Sequence, residues 1–397
     1  MTFNGIFVSL LLLGLPYHAW AQAPVAFSKK NLNQRLLLQV SYKQEAGQQD
    51  FMNTRSRIVE FERDGESLRM LEAARDSRPT PRVLATVPIR GETPCALLVD
   101  FNAGFDKIFK EEDRSGEDYN GRVDRHDYSF FALVHRTMLS VSRNGSMLVL
   151  TQQARIGDHE PVLVYYYLSP YRPNPNFTPF ELKNLDRFGF YETYPERGSG
   201  RTVLYAMKFD TEKPIVFALS SGIPAQYRQA VRDGVYYWNK AFGLRQLQVI
   251  DAPEGVTAPN PEYNVIQWET NGAFASTSHI QGDPLTGEIL HAQIFIPSST
   301  VDEGSLADRA DHLRYVVAHE VGHALGLRHN FAKGPVSTVM NYFRFDETVR
   351  IGRDVIRSGA DALDYDQQVI RYVYLGHPLD VETLPAFCTD YQPGCGS

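Results

Sequence analysis

The eleven residues from His319 to His329, "HEVGHALGLRH", constrain this chain more tightly than any other stretch of it. Two histidines four apart on a helix stack on one face, with about 5–6 Å between their Cβ atoms. That spacing lets both imidazoles reach one metal ion. A helix running straight on would carry His329 about 9 Å along the axis from His323, out of reach of the same ion. Gly326 resolves the conflict, because glycine most readily takes a left-handed backbone, ends a helix and turns the chain back. The stretch therefore predicts a helix over Leu306 to Leu325, a break at Gly326, and a return that delivers His329 to the first two histidines. Three neutral imidazoles on one Zn2+ ion leave a fourth position for water, the arrangement of a catalytic and not a structural zinc. Glu320 is too short to join the pair comfortably, yet it can reach a water held on the metal. Without an ion, three buried imidazoles and a carboxylate would be costly to desolvate.

The pattern on either side of the motif changes character along the chain. From about Asn31 to Leu168 it consists of short β-forming runs broken by turns, such as "RLLLQVSY", "PCALLVDF" and "EPVLVYYYL". Asp64-Gly65 and Asn144-Gly145 between apolar stretches are hairpin signals. Residues 22–168 thus read as a mainly antiparallel β domain. Residues 169–205, rich in Pro, Gly and Asn, read as a connector whose aromatics lie against a surface. Residues 206–397 alternate strands with helices, which implies a sheet with helical cover. There "KPIVFALSS", "LQVIDA", "YNVIQWET" and "EILHAQIFIP" read as strands. Pro224 opens a helix whose Tyr227, Val231, Val235, Trp238 and Phe242 form one apolar stripe. A later helix, "YDQQVIRYVYLG", has Asp364 as a candidate N-cap and ends at Gly376. The fold class expected is α+β.

The leader "MTFNGIFVSLLLLGLPYHAWAQAP" holds an apolar run too short to span a bilayer, followed by an A-x-A pattern at Ala19 and Ala21. It reads as a signal peptide, residues 1–21, cut before Gln22. No later segment is long and apolar enough to cross a membrane, so the mature chain is expected in the periplasm or outside the cell. A formal net charge of -7 and no dense Lys/Arg cluster argue against a nucleic-acid partner. Three cysteines are too few for a disulfide scaffold. Cys388 and Cys395 are close enough in "FCTDYQPGC" to close a small loop after export. Cys95, in a strand-like run, is expected as a buried thiol. His279 and His291 lack ligand spacing and read as ordinary strand or surface residues.

H-E-x-x-H-x-x-G-x-x-H resembles the signature of the metzincin metallopeptidases. That clan has a Met-turn beneath its zinc, and "STVMNY" places Met340 in the matching position, an apolar floor and not a ligand. Tyr342 matches the tyrosine that lies near the zinc in astacins and serralysins and helps stabilise the oxyanion. Thr338 stands where those turns usually have Ser. "AVRDGVYYWNKAF" and "TGEILHAQIFI" extend the resemblance to a bacterial group of exported zinc-dependent metalloproteases with a β-rich N-terminal region. It covers residues 213–376 well and the N-terminal half only loosely. The resemblance implies a mixed twisted sheet with an antiparallel edge strand, an active-site helix, a Met-turn and a C-terminal helix. It implies hydrolysis of an extended polypeptide by a zinc-activated water, with Glu320 as general base and then acid. The edge strand that pairs with substrate is expected in "GAFASTSHI", near Ala273 to Ser278. Two other readings stay open: an envelope binding or regulatory protein that keeps the metal site, and hydrolysis of a non-peptide amide. An intact Glu320 favours the enzyme. The β-rich half is open as a pro-segment, a binding module or a structural partner.

Overall fold

The computed structural model describes residues 24–44, 51–54, 56–73, 82–109, 130–157, 161–183, 188–193, 203–270, 275–380, 382–389 and 395. The leader expected at residues 1–21 lies outside them. Among the described residues the fold is α+β, with a large antiparallel sheet, a smaller mixed sheet and few helices.

Eleven strands form the first sheet: β1 (Val25–Ser28), β2 (Leu36–Gln44), β3 (Phe51–Asn53), β4 (Arg57–Asp64), β5 (Ser67–Glu72), β6 (Arg82–Glu92), β7 (Ala96–Val99), β8 (Lys107–Phe109), β9 (Phe130–Asn144), β10 (Met147–Ile156) and β11 (Pro161–Pro170). Their order is β1-β7-β6-β5-β4-β2-β11-β10-β9-β8, with β3 paired to β2. A single helical turn, α1 (Phe101–Gly104), lies between β7 and β8. Gly65 and Gly145 have positive φ in the tight turns that join β4 to β5 and β9 to β10. Alternation along β10 and β11 sends Leu148, Leu150, Val162 and Val164 into a core shared with Phe27, Phe61 and Phe101. Cys95 departs from expectation: β7 begins at Ala96, so the thiol sits in the preceding turn and is exposed.

After the short pair β12 (Glu192–Thr193) and β13 (Tyr205–Ala206), the second sheet runs β15-β14-β16-β18-β17. Its strands are β14 (Ile215–Leu219), β15 (Leu247–Asp251), β16 (Asn264–Glu269), β17 (Thr277–Gly282) and β18 (Ile289–Pro297). The first four in sheet order are parallel, and the edge strand β17 runs antiparallel to β18. The edge strand thus starts at Thr277, later than the stretch expected from Ala273. Residues 272–274 of that stretch lie outside the described residues. Helices α2 (Arg228–Phe242) and α3 (Leu306–Ala324) pack on the sheet, followed by α4 (Phe345–Ile351) and α5 (Asp364–Leu375). The α2 stripe of Val231, Val235, Trp238 and Phe242 is buried, and the Trp238 indole N–H donates to Ala318 O at 2.8 Å. A capping box between Ser305 and Asp308 starts α3. Asp364 is the first residue of α5 and not its cap, while Gly376 ends it.

The two sheets meet through buried polar contacts. Gln39 on β2 and His291 on β18 approach within 3.1 Å, and Gln281 on β17 donates to Val40 O at 3.0 Å. Lys43 pairs with Glu269 at 2.9 Å. His279 and His291 are therefore strand residues, as expected, and burial pushes both imidazoles down to about 4.

Candidate metal centre

Helix α3 presents His319 and His323 on its buried face one turn apart. At its end Gly326 has φ +97°, and Leu327 N turns back to bond Gly322 O at 3.0 Å. The chain then returns, and His329 meets the other two rings. The Nε2 atoms of His319 and His323 are 3.1 Å apart, as are those of His323 and His329. One ligand atom from each of the three lies within 4.8 Å of the others.

Proton placement decides what this trio can do. His319 Nδ1 faces Val339 O at 2.8 Å, and His323 Nδ1 faces Leu327 O at 2.8 Å. A carbonyl can only accept, so each Nδ1 carries the proton and each Nε2 turns a lone pair inward. Two such lone pairs at 3.1 Å repel; they are not a hydrogen bond. A cation between them converts the repulsion into coordination. Zn–N bonds of about 2.0–2.1 Å in tetrahedral geometry hold nitrogens about 3.3 Å apart, within a few tenths of the spacing seen. Burial pushes His319 down to about 3, aided by neighbouring His329 and opposed by the bond to Val339, and it drives His323 well below the usual imidazole range. Both rings are thus neutral, as metal ligands must be. The donors present fit zinc. Burial also raises Glu320, on the same helix, to about 8.

A second layer fixes these groups. Met340 is fully buried, and a Cβ on Gly322 would collide with its sulfur and with Trp238, so the helix needs glycine there. Asp366, from α5, accepts from the Thr338 hydroxyl at 2.6 Å, from Tyr237 at 2.6 Å and from Val339 N at 3.0 Å. Because Val339 O receives the His319 Nδ1–H, Asp366 and the first ligand are tied to opposite sides of one residue, Val339. Thr338 also accepts from Met340 N at 2.9 Å, a task its hydroxyl shares with the serine it replaces in the motif. Tyr315 donates to Val339 O at 3.1 Å and also to Asn341 O. The Tyr342 ring centre is 4.6 Å from that of His329 and 5.5 Å from that of His319, and the residue is 61% exposed.

The structure therefore gathers His319, His323, His329 and Tyr342 around one point, with Glu320 on the helix that carries the first two. Sequence reasoning missed Asp366 and Tyr315. Asp366 is one acidic residue among several in "DALDYDQQ", and nothing local marks it as buried.

Comparison with known families finds one match, a family model described as Met-zincin over residues 306–379. It spans α3, the His329 return, the Met-turn and α5, and it supports a metzincin-type zinc metallopeptidase, the family the motif resembles. No curated protein and no solved structure matches the chain.

Proposed function

We propose that this chain is an exported zinc metalloendopeptidase, with His319, His323 and His329 as the metal ligands and Glu320 and Tyr342 as the catalytic groups. The observation that carries the proposal is the inward convergence of three imidazole nitrogens, two of them held neutral and oriented by backbone carbonyls. Without an ion, the buried Nε2 lone pairs of His319 and His323 would face each other at 3.1 Å. Zinc bound there supplies a Lewis acid that lowers the pKa of a water toward about 7 and polarises the scissile carbonyl.

The remaining work falls to the chain's own groups. Glu320 takes the proton of the attacking water and then delivers it to the departing amine. Burial raises the Glu320 carboxyl to about 8 in the metal-free chain, and a cation held by the adjacent histidines would favour the carboxylate form that takes this proton. The Tyr342 hydroxyl serves the oxyanion that develops on the carbonyl. Edge strand β17 offers backbone groups to an extended polypeptide, which favours unfolded substrates over folded ones. Export rests on the leader pattern of residues 1–21 and on the disulfide between Cys388 and Cys395, which needs an oxidising compartment. Residues 206–397 form the catalytic unit, 22–168 its β-rich partner and 169–205 the connector between them. Digestion of a peptide library tests the reading: cleavage that a chelator abolishes and added zinc restores supports it, and an inert zinc-loaded protein refutes it.

A further inference from the structure

The segment 188–193 belongs by sequence to the connector, yet it grips the turn that carries the third histidine. Arg328 N donates to Gly189 O at 3.0 Å, and Tyr191 N donates to Gly326 O at 2.7 Å. The Arg328 guanidinium donates to Phe190 O at 3.1 Å and to the Glu192 carboxylate at 2.9 and 3.3 Å. Its carbon stands 5.0 Å from the centre of the Tyr191 ring, which in turn is 6.1 Å from the His323 ring. On the other side of His329, Asn330 N donates to Met340 O at 2.7 Å, and its side chain bonds Ala386 O at 3.1 Å and Cys388 N at 3.0 Å. His329 is thus strung between two clamped neighbours, one tied to the connector and one to the Met-turn and tail.

Burial decides what the Arg328 pair contributes. Exposed ion pairs contribute little, but the side chains of Arg328 and Glu192 are only 16% and 9% exposed. At that depth a charge-assisted bond fixes a side chain in one place, and removing a partner leaves a charge poorly solvated. We propose that Glu192, acting through Arg328, is a positioning residue for the third ligand and thereby sets zinc affinity. This rests on the zinc reading above. A mere fold staple would have the same contacts, so the test must separate aim from stability. The Arg57–Glu72 pair supplies the control: it is buried still more deeply, at 2.6 Å, and lies in the first sheet away from the histidines.

The experiment measures zinc affinity by chelator competition, and the metal-free melting temperature, for the full chain and for Glu192→Gln, Arg328→Lys and Glu72→Gln. The expected result is an affinity loss of about tenfold or more in Glu192→Gln. A smaller loss is expected in Arg328→Lys, which keeps the charge but not the forked reach, and none in Glu72→Gln. The visible spectrum of the cobalt-substituted protein should change in Glu192→Gln and stay as in wild type in Glu72→Gln. Wild-type affinity in a folded Glu192→Gln overturns the proposal. So does an equal loss in Glu72→Gln, or a Glu192→Gln and an Arg328→Lys that both fail to fold without metal, since each makes the pair a staple. A wild-type chain that binds no zinc refutes the peptidase reading and removes the brace with it. A wild-type chain that binds zinc but cleaves nothing refutes the first and leaves the second standing on its affinity data.

Discussion

Replacing Gly326 with alanine should disrupt the return of the chain to its metal. The position has φ +97°, and an added Cβ would strike Met207 O, with Phe190 Cδ1 only 3.1 Å away. That carbonyl has little freedom to yield. Met207 N is bonded to Tyr191 O at 2.7 Å, and Lys208 N, on the same peptide as the carbonyl, is bonded to Gly287 O at 2.9 Å. A left-handed backbone costs a non-glycine residue about 1–2 kcal/mol. Relieving the collision adds about 1–3 kcal/mol, as in an overpacked core. The sum, about 2–5 kcal/mol, corresponds to a fall of about 4–20 °C in melting temperature for a unit of this size. Thermal unfolding in excess chelator removes the contribution of bound metal. Gly334→Ala isolates the conformational part, because its φ is also positive at +139° but nothing lies within 4 Å of an added Cβ. If Gly326→Ala melts no lower than Gly334→Ala, the collision argument is wrong.

Three further outcomes are expected. Glu320→Gln should retain zinc and lose roughly 10²–10⁴ in peptide hydrolysis, measured as turnover on a cleaved library peptide; near-normal turnover would eliminate Glu320 as the base. Asp366→Ala should destabilise by about 3–5 kcal/mol, since it strands Thr338, Tyr237 and Val339 N at once, and denaturant unfolding reads this directly. The metal-free protein should lose stability on acidification from about pH 6.5 to 4.5. His279, His291 and His312 are each pushed down to about 4 by burial, His319 to about 3, and His323 well below its usual range. The unfolded chain therefore takes up protons first, so this stability is complete above about 6.5 and is lost as pH falls. Glu320, raised to about 8, Asp366, raised to about 6, and Glu288, also raised by burial, act in the opposite sense over the window, but three groups do not offset five. A melting temperature flat across that window would contradict the burial of the histidines.

Much of the site was legible because it is local. The 3.6-residue period and one glycine specify α3 and its break, and the α2 stripe gives a helix whose inward face needs no further information. Hairpin turns at Gly65 and Gly145 are equally local. What escaped depends on distant partners. Helix α4 is too short to show a period, and it is held by contacts such as Thr348 with His312 at 2.7 Å. The start of β17 is set by pairing with β18, which begins after an intervening turn. The brace at Glu192 and the anchor at Asp366 act on residues that lie 136 and 27 positions away in the chain. No window of sequence contains both ends of either contact.

Native mass spectrometry of the purified chain, before and after chelation, bears most directly on whether the three imidazoles share one ion. The account predicts one zinc per chain in the wild type, removed by the chelator and regained on adding zinc, with binding markedly weakened in His329→Ala. A wild-type chain that stays metal-free in excess zinc, or a His329→Ala chain that holds zinc as tightly as its parent, would contradict it.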